Sequence, residues 1–124
     1  MSLIFCNNIY VKAITNKGLG VFASKMFKKG ELIEKGIIRR IDIDGNKNPY
    51  IFSWSPDKDV WGFGSGCSTF YNTSMDPNCK MVRYYDEDRF EIFALCDIDI
   101  DIELTHKYVS LDWRECFQDL KKVL

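Results

Sequence analysis

Tyr71-Asn72-Thr73-Ser74-Met75-Asp76-Pro77-Asn78 and, further on, Glu103-Leu104-Thr105-His106-Lys107-Tyr108 are the two stretches on which the reading of this chain turns. The first closes a run of small residues that opens at Gly62-Phe63-Gly64-Ser65-Gly66. Glycines and small polar side chains allow one backbone to approach another closely. Asn72, Ser74 and Asn78 can order a loop by bonding its backbone groups. Taken alone these residues describe a loop of undetermined purpose, so the surroundings decide.

Working outward, turn signals recur along the chain at Asn16-Lys17-Gly18, Lys28-Lys29-Gly30, Asp44-Gly45-Asn46, Ser55-Pro56-Asp57, Asp76-Pro77-Asn78 and Asp86-Glu87-Asp88. Between them lie short segments rich in Ile, Val, Phe and Tyr, which read as strands over residues 9–14, 31–43, 50–54, 79–85 and 89–95. Phe90, Ile92 and Ala94 alternate with Arg89, Glu91 and Phe93, and the pair of strands around Asp86-Glu87-Asp88 reads as a hairpin. The chain is therefore expected to be mostly β. Only the C-terminus has helical spacing: Trp113, Cys116, Phe117, Leu120 and Leu124 share one face, after a candidate Ser110 cap. The run Asp97-Ile98-Asp99-Ile100-Asp101-Ile102 suits either a half-buried strand or a turn-rich crossing anchored by its isoleucines. Its aspartates are out of register for a calcium loop.

With 124 residues, 46% of them hydrophobic and 15% aromatic, the chain can bury one core, and a single domain over residues 1–124 is expected. Seventeen Lys and Arg against eighteen Asp and Glu leave a net charge of −1, which argues against direct nucleic-acid binding. Apolar runs are too short for a membrane span, and the first residues lack the pattern of a secretory signal, so an intracellular location is expected. Five cysteines at 6, 67, 79, 96 and 116 form no close pair, which suits reduced thiols, mostly small buried hydrophobes, better than a disulfide framework.

Three motifs read better as structure than as chemistry. Gly18-Leu19-Gly20-Val21-Phe22-Ala23 matches a dinucleotide-binding pattern, but no helix can open before Lys28-Lys29-Gly30, so a tight turn between strands is expected instead. Asn72-Thr73-Ser74 is a formal glycosylation sequon. His106, the lone histidine, has no nucleophile implied by spacing.

Taken together and in order, the segments resemble the SET domain, the β-rich fold of S-adenosylmethionine-dependent protein lysine methyltransferases. Lys17-Gly18-Leu19-Gly20-Val21-Phe22-Ala23 resembles the family's opening K-G-x-G-[VL]-F-A, and Phe27-Lys28-Lys29-Gly30-Glu31-Leu32-Ile33 resembles I-x-x-G-E-x-I. Tyr50-Ile51-Phe52-Ser53-Trp54 is similar to the Y-x-F segment of compact microbial and viral members. Residues 71–78 resemble F-N-H-S-x-x-P-N, and Asp97-Ile98 followed by residues 103–108 resembles D-I-x-x-G-E-E-L-T-x-x-Y.

The resemblance implies a β-clip fold of short strands and small sheets with a pseudoknot, and a methyltransferase that takes S-adenosylmethionine as its cofactor. It implies cofactor binding by Lys17, Gly18, Leu19, Gly20, Tyr71, Asn72, Thr73, Tyr108 and Trp113, and catalysis by Tyr108 with Tyr50 as a second wall of the lysine channel. The partner implied is a lysine-containing protein or peptide, with a histone tail as one target and a homodimer as one assembly found in compact members. No zinc is expected, because Met75 stands where larger members place a cysteine and no C-x-C follows Tyr108. Thr73 stands where the family has His, Asp101 where it has a turn glycine, and Val109 where Gly often follows the tyrosine. The first two motivate an alternative, a catalytically inactive module that binds a peptide or protein.

Overall fold

In the computed structural model, which describes residues 2–16 and 18–124, nine short strands are seen among the described residues. They are β1 (Ile9–Ile14), β2 (Gly18–Ala23), β3 (Leu32–Ile41), β4 (Phe52–Ser53), β5 (Trp61–Gly64), β6 (Asn72–Thr73), β7 (Cys79–Tyr84), β8 (Arg89–Ala94) and β9 (Glu103–His106). One sheet has the order β4-β5-β3-β8-β7 and the other β1-β2-β9-β6.

The larger sheet follows from alternation. Along β8, Phe90, Ile92 and Ala94 are buried while Arg89, Glu91 and Phe93 are half-buried. Central placement between β3 and β7 packs those three against Ile33, Cys79 and Met81, in one core with Val21, Phe27, Trp54 and Leu104. Each large apolar side chain so buried contributes about 1.5–3 kcal/mol. Gly36 of β3 is required by this packing, since a Cβ there would sit 2.6 Å from the Phe90 ring. The expected hairpin is present: β7 and β8 pair from Cys79↔Ala94 to Tyr84↔Arg89, and Asp88 takes the left-handed conformation at φ 50° that closes the turn. Its carboxylate accepts from the Trp54 indole at 3.0 Å, which ties the turn to the core.

Several expected elements differ in extent. Gly18-Leu19-Gly20 is strand, not turn: β2 pairs with β1 from Ile14↔Gly18 to Ile9↔Ala23, and the turn lies just before it. The strand expected over 50–54 shortens to Phe52–Ser53, because the carbonyl of Ile51 is taken by the Arg114 guanidinium. Within the glycine run, Trp61–Gly64 forms β5 on the edge of β3, a strand that composition does not announce. The acidic run 97–102 forms no strand; Ile98 exchanges two backbone bonds with Phe27, while Ile100 and Ile102 stay exposed. Of the five cysteines only Cys79 is buried.

The C-terminal helix is shorter than its spacing suggests. A 3-10 turn at Glu115–Phe117 leads into α1 (Gln118–Lys122), and Ser110 does not cap it. Arg114 breaks the helix: its backbone is extended (φ −76°, ψ 132°), because its side chain is committed to the carbonyls of Gly45, Asn48 and Ile51.

Candidate active site

The two segments that open the sequence analysis are stitched together. β6 and β9 run parallel for only two residue pairs, Asn72↔Thr105 and Thr73↔His106. So short a ladder is weak, and side chains complete it. Asn78 donates its amide to the Glu103 carbonyl at 2.8 Å and accepts the Thr105 N–H at 2.9 Å. Thr73 accepts the Tyr108 N–H at 3.0 Å through its hydroxyl, and the Tyr108 phenol donates to the Tyr71 carbonyl at 2.6 Å. Thr73, a departure from the family pattern, thus positions Tyr108. Asp101, the other departure, adopts φ 67° and its carboxylate accepts from the Tyr10 hydroxyl at 2.8 Å, so the left-handed turn is met without glycine.

On one side of this seam lies the backbone of Gly18, Leu19 and Gly20. Asn72 donates to the Leu19 carbonyl at 3.0 Å and to the Glu103 carboxylate at 2.8 Å. A Cβ on Gly20 would stand 2.9 Å from that carboxylate and 3.2 Å from the Asn72 amide nitrogen, so only glycine leaves this corner open. A carbonyl, an amide and a carboxylate converging at one point form an acceptor-rich corner that suits a cationic group. Lys17 lies outside the described residues.

On the other side, Tyr108 and Tyr71 line a small cavity, with room of about 30 Å³, together with Tyr50, Phe52, Arg83, His106, Arg114 and Phe117. Tyr50 is 70% exposed, whereas the Tyr108 ring packs on Phe117 with centroids 5.0 Å apart. Burial, reinforced by the Glu103 charge and opposed by Arg114, pushes the Tyr108 phenol up to about 12, so it stays protonated as a donor. Burial, with the Arg83 charge behind it, pushes His106 down to about 4, so its imidazole is neutral. Glu34, fully buried, accepts from the Tyr71 hydroxyl at 2.8 Å and from the Cys67 N–H at 2.9 Å. Desolvation raises its carboxyl to about 7, against the pull of those two bonds.

The structure thus brings Gly18, Leu19, Gly20, Tyr71, Asn72, Thr73 and Tyr108 to one seam, with Tyr50 across the cavity. Trp113 is not brought there: its ring packs on Trp61 at 6.1 Å, with the Lys58 ammonium 5.1 Å above it. Phe117 is the C-terminal aromatic that reaches Tyr108. Glu34, Glu103, Arg83 and Arg114 are the residues that sequence reasoning missed. Glu103 sat in plain view inside a quoted motif, and Glu34 was visible as a charge in an apolar run; nothing local marks the two arginines.

The family model for the SET domain matches residues 18–109. The chain belongs to the SET-domain family. Its fold is similar to the crystal structure of a Plasmodium falciparum protein described as a candidate histone methyltransferase, at 26% identity and a TM-score of 0.65, covering 82% of this chain and 92% of that one. It is also similar to Polycomb Repressive Complex 2 of Chaetomium thermophilum in an autoinhibited conformation bound to S-adenosylmethionine. There the identity is 19% and the TM-score 0.67, over 93% of this chain and 16% of that chain. The apo form of that complex gives a TM-score of 0.69 at 20% identity, over 93% of this chain and 17% of that one. No curated protein matches the chain.

Proposed function

We propose that this SET domain is an S-adenosylmethionine-dependent methyltransferase acting on the ε-amine of a protein lysine, with a histone tail as the first substrate to test. The observation that carries the reading is the Tyr108 hydroxyl held on the Tyr71 carbonyl, at the seam between the Gly20–Asn72–Glu103 corner and the aromatic cavity. The donor set fits the cofactor: the Leu19 carbonyl, Asn72 and Glu103 would hold its ammonium end, and the backbone of Gly18, Gly20 and Thr73 would lie along it. When bound, S-adenosylmethionine supplies an electrophilic methyl group on a sulfonium.

Everything else is the work of the chain. Tyr50, Phe52 and Tyr108 can sheathe the alkyl stem of an incoming lysine and exclude water from it. Desolvation there disfavours the ammonium, so the amine arrives neutral and a lone pair is available. Tyr108 is not the base, since its phenol keeps its proton. It orients: one lone pair of its oxygen faces the site while its hydrogen is tied to Tyr71. In-line transfer depends on this positioning more than on acid–base chemistry. Thr73 and Asp101 both have structural employment, which supports an active site more than an inert module.

The test is methyl incorporation into lysine peptides from S-adenosylmethionine. Tyr108→Phe should lower kcat by on the order of 10²-fold with the fold retained. No incorporation by the unaltered chain, or an unchanged rate in Tyr108→Phe, would contradict the proposal.

A further inference from the structure

The cavity beside Tyr108 carries cationic hydrogen-bonding capacity that the described residues leave unused. Arg114 is 2% exposed; its two terminal nitrogens bond carbonyls and the Ser110 hydroxyl, but its Nε is buried without an acceptor. His106 is also 2% exposed; its neutral imidazole gives the Nδ1 proton to the Lys107 carbonyl at 3.4 Å, so its unpartnered Nε2 is an acceptor and takes no part in holding an anion. Arg83 gives Nη1 to the nearby Met81 carbonyl. Among the described residues no carboxylate pairs with either guanidinium, although Lys25, Arg40, Arg89, Lys121 and Lys122 all find one. Arg114 and Arg83 line the same cavity, and the Arg114 Nε is the donor there that is buried without a partner.

Removing a guanidinium from water without a counter-ion is costly, and an unpaired buried nitrogen adds to the cost. A carboxylate answers both, because it accepts charge-assisted bonds from the one free Arg114 donor, Nε, and from Arg83. A second basic group beside the lysine would be repelled. We propose that the cationic part of this cavity is a carboxylate subsite that seats an Asp or Glu side chain of the substrate next to the lysine to be methylated. This rests on the methyltransferase reading and adds a sequence preference to it.

The experiment uses the intact chain and paired lysine peptides that differ only in Glu or Gln at each position flanking the lysine. At one or more positions, kcat/KM should be at least roughly tenfold higher for Glu, and Arg83→Gln should collapse that ratio to near one. Sodium acetate should compete against the Glu peptide and spare the Gln peptide. Equal use of both peptides by the unaltered chain overturns the proposal, as does a Glu preference that survives in Arg83→Gln. Acetate binding without any peptide preference overturns the assignment to substrate, leaving a site for free anions. Fluorescence anisotropy of the same labelled peptides reads the preference without methyl transfer. A chain that binds Glu over Gln peptides but transfers nothing therefore fails as an enzyme while the subsite stands. If Arg83→Gln does not fold, acetate competition on the unaltered chain decides.

Discussion

The five-stranded sheet and the β6–β9 seam are held by different forces. In the sheet, β8 buries Phe90, Ile92 and Ala94 against two neighbours, pairing over five residues with β3, across one register shift between Leu32 and Glu34, and over six with β7. In the seam only two residue pairs are in register, and Asn78, Thr73 and Tyr108 supply side-chain bonds that the ladder lacks. Apolar burial is non-directional and tolerates small displacements, whereas the seam fixes particular atoms at hydrogen-bond distance. The sheet therefore secures the fold, and the seam sets the geometry that positional catalysis needs.

Substitutions in each region should separate these roles. Phe90→Ala, at the centre of the sheet, should cost the most, about 3–5 kcal/mol in urea unfolding. A loss below about 1 kcal/mol would mean that the sheet is not the core.

The buried ionisable groups near the seam come next. The Glu34 carboxyl stands at about 7 in the folded chain against an ordinary 4.5, so the folded state keeps a proton that the unfolded state releases. Stability from this group therefore falls as pH rises from about 4.5 to about 7. His106 stands at about 4 against 6.5, so the unfolded state takes up the proton first, and its contribution is lost as pH falls from 6.5 to about 4. Each amounts to roughly 3 kcal/mol, and between pH 4.5 and 6.5 they oppose one another. The unaltered chain should then be nearly flat in urea midpoint across that window. His106→Gln should become less stable with rising pH, and Glu34→Gln more stable. Parallel curves for all three proteins would show that neither group is buried as described.

Tyr108→Phe should lower methyl transfer by on the order of 10²-fold while changing stability by only about 1 kcal/mol. Asn78→Ala should cost about 2 kcal/mol of stability from two lost bonds, more than Tyr108→Phe, while lowering methyl transfer less. It should also raise hydrogen-exchange rates at Thr105 ahead of those in β8. Uniform exchange across both regions would erase the distinction between sheet and seam.

The same contrast governs what the sequence disclosed. The sheet was legible from alternation, because Phe90, Ile92 and Ala94 repeat with the period of the pleat. The seam has no period and was legible only as family-like motifs, which point to Asn72, Thr73 and Tyr108 through resemblance. β5 escaped because Trp61-Gly62-Phe63-Gly64 has turn-like composition and is strand by pairing with β3 and β4. The C-terminal helix was overextended because its apolar spacing continues through Arg114, whose distant carbonyl partners hold its backbone out of the helix. For the same reason Trp113 landed against Trp61: local spacing does not tell which sheet a side chain will face. Glu34 and Arg83 were missed because their significance lies in what they meet across the fold, not in their neighbours along the chain.

The most direct test of the central claim is a calorimetric titration of the unaltered chain and of Asn72→Ala with S-adenosylmethionine. The account predicts saturable one-to-one binding by the unaltered chain and a dissociation constant at least about tenfold weaker for Asn72→Ala, the loss expected when a charge-assisted bond at the corner is removed. No saturable heat from the unaltered chain, or equal affinity in the two, would contradict it.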